Sequence, residues 1–264
     1  MRTYGRDVRH RRTLASVIED GVSIFQQDAS EYAFAGLIGA FAACLSTLVL
    51  VSAGGTLGAL LLPLVLIAIA VVTLATATEA LRRVTDNLEP SAAQSFAAVL
   101  RGLPAVLLPW APLAIALAAA LVLDVRVGHW LPASERGLVE VLVVVAALYA
   151  ALGRVLAVPS LVMRRSTARE ATQEGRVLAA RALPKVAGAW GICLAPALLV
   201  SLIPALTGFG AVSSAIAALA FVGTMPFGAI VNALLFFDAV PDGGAAAGAQ
   251  ATMARRTAGL RQVR

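Results

Sequence analysis

Six apolar runs separated by polar or glycine-bearing breaks organise this chain, at roughly 33–53, 57–80, 103–123, 138–163, 184–206 and 211–237. Each is close to the ~20 residues that carry a helix across about 30 Å of hydrocarbon. Between them, three stretches set apolar residues at helical spacing with polar ones opposite, which predicts amphipathic helices. The first begins at Thr13, with Leu14, Val17, Ile18, Val22 and Phe25 on one face and Glu19, Asp20, Ser23 and Gln26 towards the other. The second follows Pro90, which suits a first helical turn because its missing N–H would have no partner there. Ala92, Phe96, Val99 and Leu103 line its face, Gly102 ends it and Pro104 opens the next helix. The third holds the densest charge in the chain, and its Thr167 and Glu170 have capping-box spacing.

The pattern predicts an all-α polytopic membrane protein of six transmembrane helices and three cytoplasmic amphipathic surface helices. Each surface helix precedes two spans, in units 13–80, 87–163 and 166–237. A basic N-terminus (1–12) precedes the membrane domain (13–240), and a flexible basic tail (241–264) follows it. Gly36, Gly39, Ala40 and Ala43 give the first span a face of small residues on which a neighbour can pack closely. Pro109 and Pro112 around Trp110 predict a bent third span whose freed carbonyls are satisfied by protein.

Composition agrees. Hydrophobic residues are 59% of the chain and charged residues 14%, against nearer half and a quarter in soluble domains. The formal net charge is +6, but the basic residues flank apolar spans, which favours anionic lipid headgroups over nucleic acid as partner. Their placement sets the topology. Of 21 Lys and Arg, five lie in the N-terminus, three in 81–102 (Arg82, Arg83, Arg101), six in 164–185 and four in the tail. The opposite side has only Arg126 and Arg136, and Arg154 lies within a span. Basic residues concentrate in cytoplasmic loops, so both termini are expected in the cytoplasm, in a multi-pass protein of the inner membrane of a prokaryote.

Little points to catalysis. The chain has no phosphate-binding loop, no nucleophile elbow and no zinc-protease helix. Cys44, Cys193, His10 and His129 have no metal-ligand spacing, so no metal or cofactor is expected. An arginine near the bilayer centre costs roughly 2.5–3.5 kcal/mol on insertion scales, so Arg154 needs a partner, and Glu79 is the candidate. Arg154 then reads either as half of an interhelical ion pair or as part of a headgroup or substrate site. Arg164, Arg165, Arg169, Arg176, Arg181 and Lys185 form a candidate surface for lipid headgroups or for a cytoplasmic or membrane protein partner. Glu31, Glu140 and Asp238 read as hydrated span ends, His129-Trp130 as an interfacial anchor, and Asn232 as an interhelical hydrogen-bonding residue. At an offset of 80, Arg101, Leu103, Pro104, Val106 and Trp110 recur as Arg181, Leu183, Pro184, Val186 and Trp190.

The run VPSLVMRRSTAREATQEGRVLAARALPKVAGAW, with TMPFGAIVNALLFFDAV after it, resembles the six-span membrane domain of the glycerophosphoryl diester phosphodiesterase type, over roughly residues 13–240. The resemblance implies that the phosphodiesterase chemistry of fused members resides in a separate soluble barrel, for which the stretch after the last span is too short. The expected role is therefore a non-catalytic accessory or scaffold module that organises anionic lipid or a partner protein at the cytoplasmic face. The alternative is a small-molecule transporter or a permease subunit of an ATP-driven importer, since Glu170-Ala171 and Gly175 partly match the loop that grips the ATPase.

Overall fold

The computed structural model describes residues 13–127, 130, 132–207 and 211–240. Those residues form helices and no strand, in the order α1 Leu14–Gln27, α2 Ala29–Ala53, α3 Gly55–Thr85, α4 Ala92–Arg101, α5 Leu103–Leu107, α6 Ala111–Val127, α7 Ala133–Leu152, α8 Ala157–Arg164, α9 Ala168–Arg181, α10 Leu183–Thr207, α11 Ala211–Gly223 and α12 Met225–Ala239. Among them five segments are long and apolar enough to cross a membrane: 29–53, 55–85, 145–164, 183–200 and 211–239. Phe34, Leu37, Phe41 and Leu45 on α2 and Leu198 and Leu199 on α10 are exposed. Apolar surface on that scale belongs against lipid. The chain is an all-α, multi-pass membrane protein.

The stretch expected as the third span is not one helix. It is α5 and α6, divided by a turn at 108–110. Pro109 and Pro112 lack the N–H groups that would continue the ladder, and the Trp110 N–H reaches back only to the Leu107 carbonyl (2.9 Å). The fourth and sixth runs also break, between α7 and α8 and between α11 and α12.

The three amphipathic helices are built alike. Each starts on a hydroxyl cap that accepts from an amide three residues on: Thr13 from Ser16 (3.2 Å), Ser91 from Gln94 (3.4 Å) and Thr167 from Glu170 (3.4 Å). Such caps contribute about 1 kcal/mol each. Each helix ends on one joint residue of nearly the same backbone conformation: Asp28 (φ −123, ψ 40), Gly102 (φ −102, ψ 14) and Ala182 (φ −117, ψ 21). The joint carbonyl then accepts from the N–H four residues on, at Tyr32, Val106 and Val186 (3.3, 3.1 and 2.9 Å). All three of those side chains are buried.

Packing carries the repetition into three dimensions. α1 lies on α12, α4 on α3, and α9 on α8. Each amphipathic helix therefore docks on the second apolar segment of the preceding unit, with the first unit closing on the third. The C-terminal half of α3, α8 and α12 also pack on one another and supply a large share of the core, including Leu74, Leu81, Val158, Ile230 and Phe236.

Two docking faces hold most of the expected residues and depart at one each. α4 buries Ala92, Ser95 and Val99, while Phe96 is 40% exposed. α1 buries Val17, Gly21 and Ile24, while Val22 is 41% exposed. In both, small residues mark where helix axes approach, and the larger side chain turns outward. A Cβ at Gly21 would meet Val231 at 3.3 Å, and one at Gly175 of α9 would stand 2.6 Å from the Ala157 nitrogen.

Candidate functional site

At the end of the molecule where α3, α4 and α8 meet, a cleft of about 730 Å³ opens, lined by Arg82, Arg83, Arg101 and Arg165 with Glu79, Gln94 and Ser166. These side chains come from three places in the chain, and the local structure explains how each arrives. α3 stops in a Schellman turn, with the Leu88 N–H on the Arg83 carbonyl (2.8 Å) and the Asn87 N–H on the Val84 carbonyl (3.2 Å). Asn87 takes the left-handed conformation (φ 58) that this turn requires. The chain then reverses into α4, whose first amide, Ala92 N–H, donates to Glu31 Oε2 (2.7 Å). Glu31, expected as a hydrated span end, is instead a cap between units. α4 packs on α3, and Arg101 lines the same cleft as Arg82 and Arg83.

The third wall comes from the end of α8. Arg165 has φ 53, a left-handed conformation that costs an L-residue about 1–2 kcal/mol. The reversal is held by Ser166 Oγ, which donates to the Ser160 carbonyl (3.0 Å). An arginine at such a position, where glycine or asparagine would relieve the strain, points to use of the side chain.

The charges in the cleft are unequal. Arg82 is held at both ends, donating to Glu79 through Nε (2.8 Å) and Nη2 (2.6 Å) and to Asp86 through Nη1 (2.5 Å). Arg83 Nε donates to the Glu89 carbonyl (3.1 Å) and Arg101 Nε to the Ala97 carbonyl (3.3 Å). Among the described residues no carboxylate pairs with Arg83, Arg101 or Arg165. Three like charges on partly apolar walls repel one another, and a bound anion removes that repulsion.

The residues singled out from sequence are dispersed differently from expectation. Arg154 and Glu79, anticipated as a pair, have separate partners. Glu79 is taken by Arg82, one turn away on its own helix. Arg154 sits in the α7–α8 break, where Nε donates to the Pro109 carbonyl (3.0 Å) and Nη1 to the Ala150 carbonyl (2.7 Å). It thereby satisfies carbonyls at two helix breaks. Of the basic surface group only Arg165 lines the cleft. Arg164 pairs with Glu174 (2.5 Å) and lies over the Phe236 ring (5.5 Å to its centroid). Arg169, Arg176 and Arg181 are exposed on α9, and Lys185 begins α10 half-buried. Asn232 is fully buried and accepts from Trp190 Nε1 (2.8 Å). His129 lies outside the described residues, as does the side chain of Glu140.

Arg82, Arg83, Arg101, Gln94 and Ser166 were not picked out as a site. The first three counted towards topology, and nothing in their spacing says that α4 packs on α3. The αL arginine leaves no sequence signal. Comparison with protein-family models, with curated proteins and with solved structures finds no match to this chain.

Proposed function

We propose that this protein is a non-catalytic accessory module of a prokaryotic inner membrane that gathers anionic lipid at its cytoplasmic face. In this reading α5 and α6 together make the third of six crossings, α1, α4 and α9 lie at the cytoplasmic surface, and both termini are cytoplasmic. The observation that supports it is the convergence of Arg82, Arg83, Arg101 and Arg165 in one cleft at the ends of α3, α4 and α8. Cationic residues near an anionic leaflet each add about 1 kcal/mol of attraction. The resemblance to the phosphodiesterase-type membrane domain agrees with an accessory role and rests on the residues quoted for it.

The test is the lipid that stays with the purified protein. Extraction in mild detergent followed by native mass spectrometry is expected to show anionic phospholipid enriched over its share of the source membrane. Retained lipid matching the bulk composition would overturn the proposal. Topology is tested separately by membrane-impermeant thiol labelling of single cysteines placed at Gly55 and Asn87. Labelling of Gly55→Cys from outside and of Asn87→Cys only after permeabilisation is expected, and the reverse sinks the orientation.

The threefold repetition favours one other reading, a transporter, since internal repeats are frequent in that class. In the permease form α9 would offer its grip to an ATPase. Here Ala171 and Gly175 are buried against α8 and Glu170 closes the cap of its own helix, so those groups already have internal uses. A nucleotide-binding subunit copurifying in equal amount would establish that reading over ours.

A further inference from the structure

The matching joints let the three amphipathic helices be compared position by position, counting back from Asp28, Gly102 and Ala182. Eight residues before the joint stand Asp20, Gln94 and Glu174. Four before it stand Ile24, Ala98 and Leu178. In the third unit Glu174 receives Arg164 (2.5 Å) and the Ser160 hydroxyl, and Leu178 is buried beside it. The first unit's junction is filled by Ile24 and by Phe25, which stacks on Tyr32 (5.8 Å) and meets Phe227 edge-on (6.3 Å). The second unit alone has an amide in place of the acid and a methyl in place of the large side chain. The cleft of about 730 Å³ opens there, with Gln94 and Ala98 on its wall, whereas Glu174 and Leu178 of the third unit line a smaller groove of about 370 Å³.

Both differences act in one direction. Ala98 leaves space that a branched side chain occupies elsewhere, and Gln94 withholds the carboxylate that would neutralise a neighbouring arginine. Arg83 is half-buried and Arg101 and Arg165 are exposed at the cleft mouth; guanidinium groups without a carboxylate favour an anion from outside, and arginine forks suit phosphate oxygens. Three arginines without a carboxylate exceed what one negative charge balances. A phosphate monoester carries about −1.5 to −2 at neutral pH, whereas a phosphodiester carries one. Val106, Leu161 and Val162 continue the cleft as an apolar wall, which suits acyl chain rather than water.

Resting on the lipid-gathering reading above, we propose that the α3–α4–α8 cleft is a site for the phosphomonoester headgroup of one membrane lipid, which supplies the charge and bulk that the other two units carry in their own side chains.

The experiment measures binding to the full chain in detergent by native mass spectrometry, with dioleoyl phosphatidic acid, dioleoyl phosphatidylglycerol, dioleoyl phosphatidylcholine and inorganic phosphate as probes. Phosphatidic acid is expected to bind one per chain and about tenfold or more tighter than phosphatidylglycerol, with phosphatidylcholine weaker still and inorganic phosphate failing to displace it. Gln94→Glu, which restores the missing acid while keeping every arginine, is expected to lower phosphatidic acid affinity about tenfold without loss of thermal stability. Arg101→Ala is expected to lower it as far. Equal binding of the two anionic lipids overturns the monoester assignment. Displacement by inorganic phosphate overturns the lipid source, and wild-type binding by Gln94→Glu overturns the site. If Gln94→Glu loses phosphatidic acid yet still copurifies with enriched anionic lipid, the cleft assignment and the general lipid reading stand independently.

Discussion

Docking of α9 on α8 depends on one missing side chain. A Cβ at residue 175 would lie 2.6 Å from the nitrogen of Ala157 and 2.9 Å from its Cα. Those are backbone atoms of a helix, so no rotamer change can make room and α9 itself has to move outward. Overpacking of this kind costs typically 1–3 kcal/mol. Against it stands the gain of roughly 0.5–1 kcal/mol from replacing glycine by alanine inside a helix. Gly175→Ala is thus expected to disfavour the docked α9 by about 1–2 kcal/mol, a factor of roughly 5–30 in the undocked population. Amide hydrogen exchange of residues 171–181 in detergent reads that factor directly. Gly191→Ala is the control, since a Cβ there meets nothing within 4 Å, and it is expected to leave α9 unchanged and α10 the same or slower. If Gly175→Ala leaves exchange in α9 as it was, or if the control accelerates it equally, the close approach does not hold the helix.

Three further outcomes follow from single contacts. Asn232→Leu removes the acceptor of Trp190 Nε1, and interhelical hydrogen bonds in membranes average roughly 0.6 kcal/mol with a maximum near 1.7, so a small fall in thermal unfolding temperature is expected and an unchanged one counts against the bond. Arg154→Lys leaves one ammonium to serve two carbonyls, which should cost roughly 1.5–3 kcal/mol for the charged hydrogen bond lost, seen as faster exchange around the α5–α6 turn. The Thr167 backbone N–H, and then its hydroxyl, hold the Glu170 carboxyl below its ordinary value of 4.5. A depressed folded value stabilises above the unfolded one and fades as pH falls through the folded one, so protection of the first turn of α9 should drop in acid. Glu170→Gln should flatten that dependence, and a wild-type profile that is already flat would refute the cap's contribution.

What could be read from sequence was whatever repeats along one helix. The apolar runs, the capping box and the proline breaks are local, so Thr167 with Glu170 and Pro109 with Pro112 declared themselves, whereas the Ser91 cap, one residue after the Pro90 expected in the first turn of α4, did not. One residue on each expected face of α1 and α4 turned the other way, for one reason: the pattern rewards large apolar residues, whereas docking against a backbone selects the small ones. Phe96 and Val22 therefore turned out and Ser95 and Gly21 turned in. The Arg154–Glu79 pair failed on competition. Arg82, three residues from Glu79 on the same helix, reaches it without any interhelical constraint, and helix breaks supplied Arg154 with carbonyls that sequence cannot locate.

The offset of 80 between the second and third units showed in sequence because they share Leu-Pro after the joint and a tryptophan seven residues beyond the leucine. The first unit was legible only as an order of segments, since its joint is Asp28 where the others have Gly102 and Ala182. Three unrelated residues adopt one backbone conformation there because the constraint is on the carbonyl, which has to accept the amide four residues on while the chain turns from one helix axis to the next. A constraint on backbone leaves side chains free to diverge, and that freedom is what a ligand site needs. With the frame held by caps and joints, Gln94 stands where the other units have an acid and Ala98 where they have a branched residue, and both line the cleft where α3, α4 and α8 meet. On the headgroup proposal, the asymmetry rather than the repetition is what would carry binding.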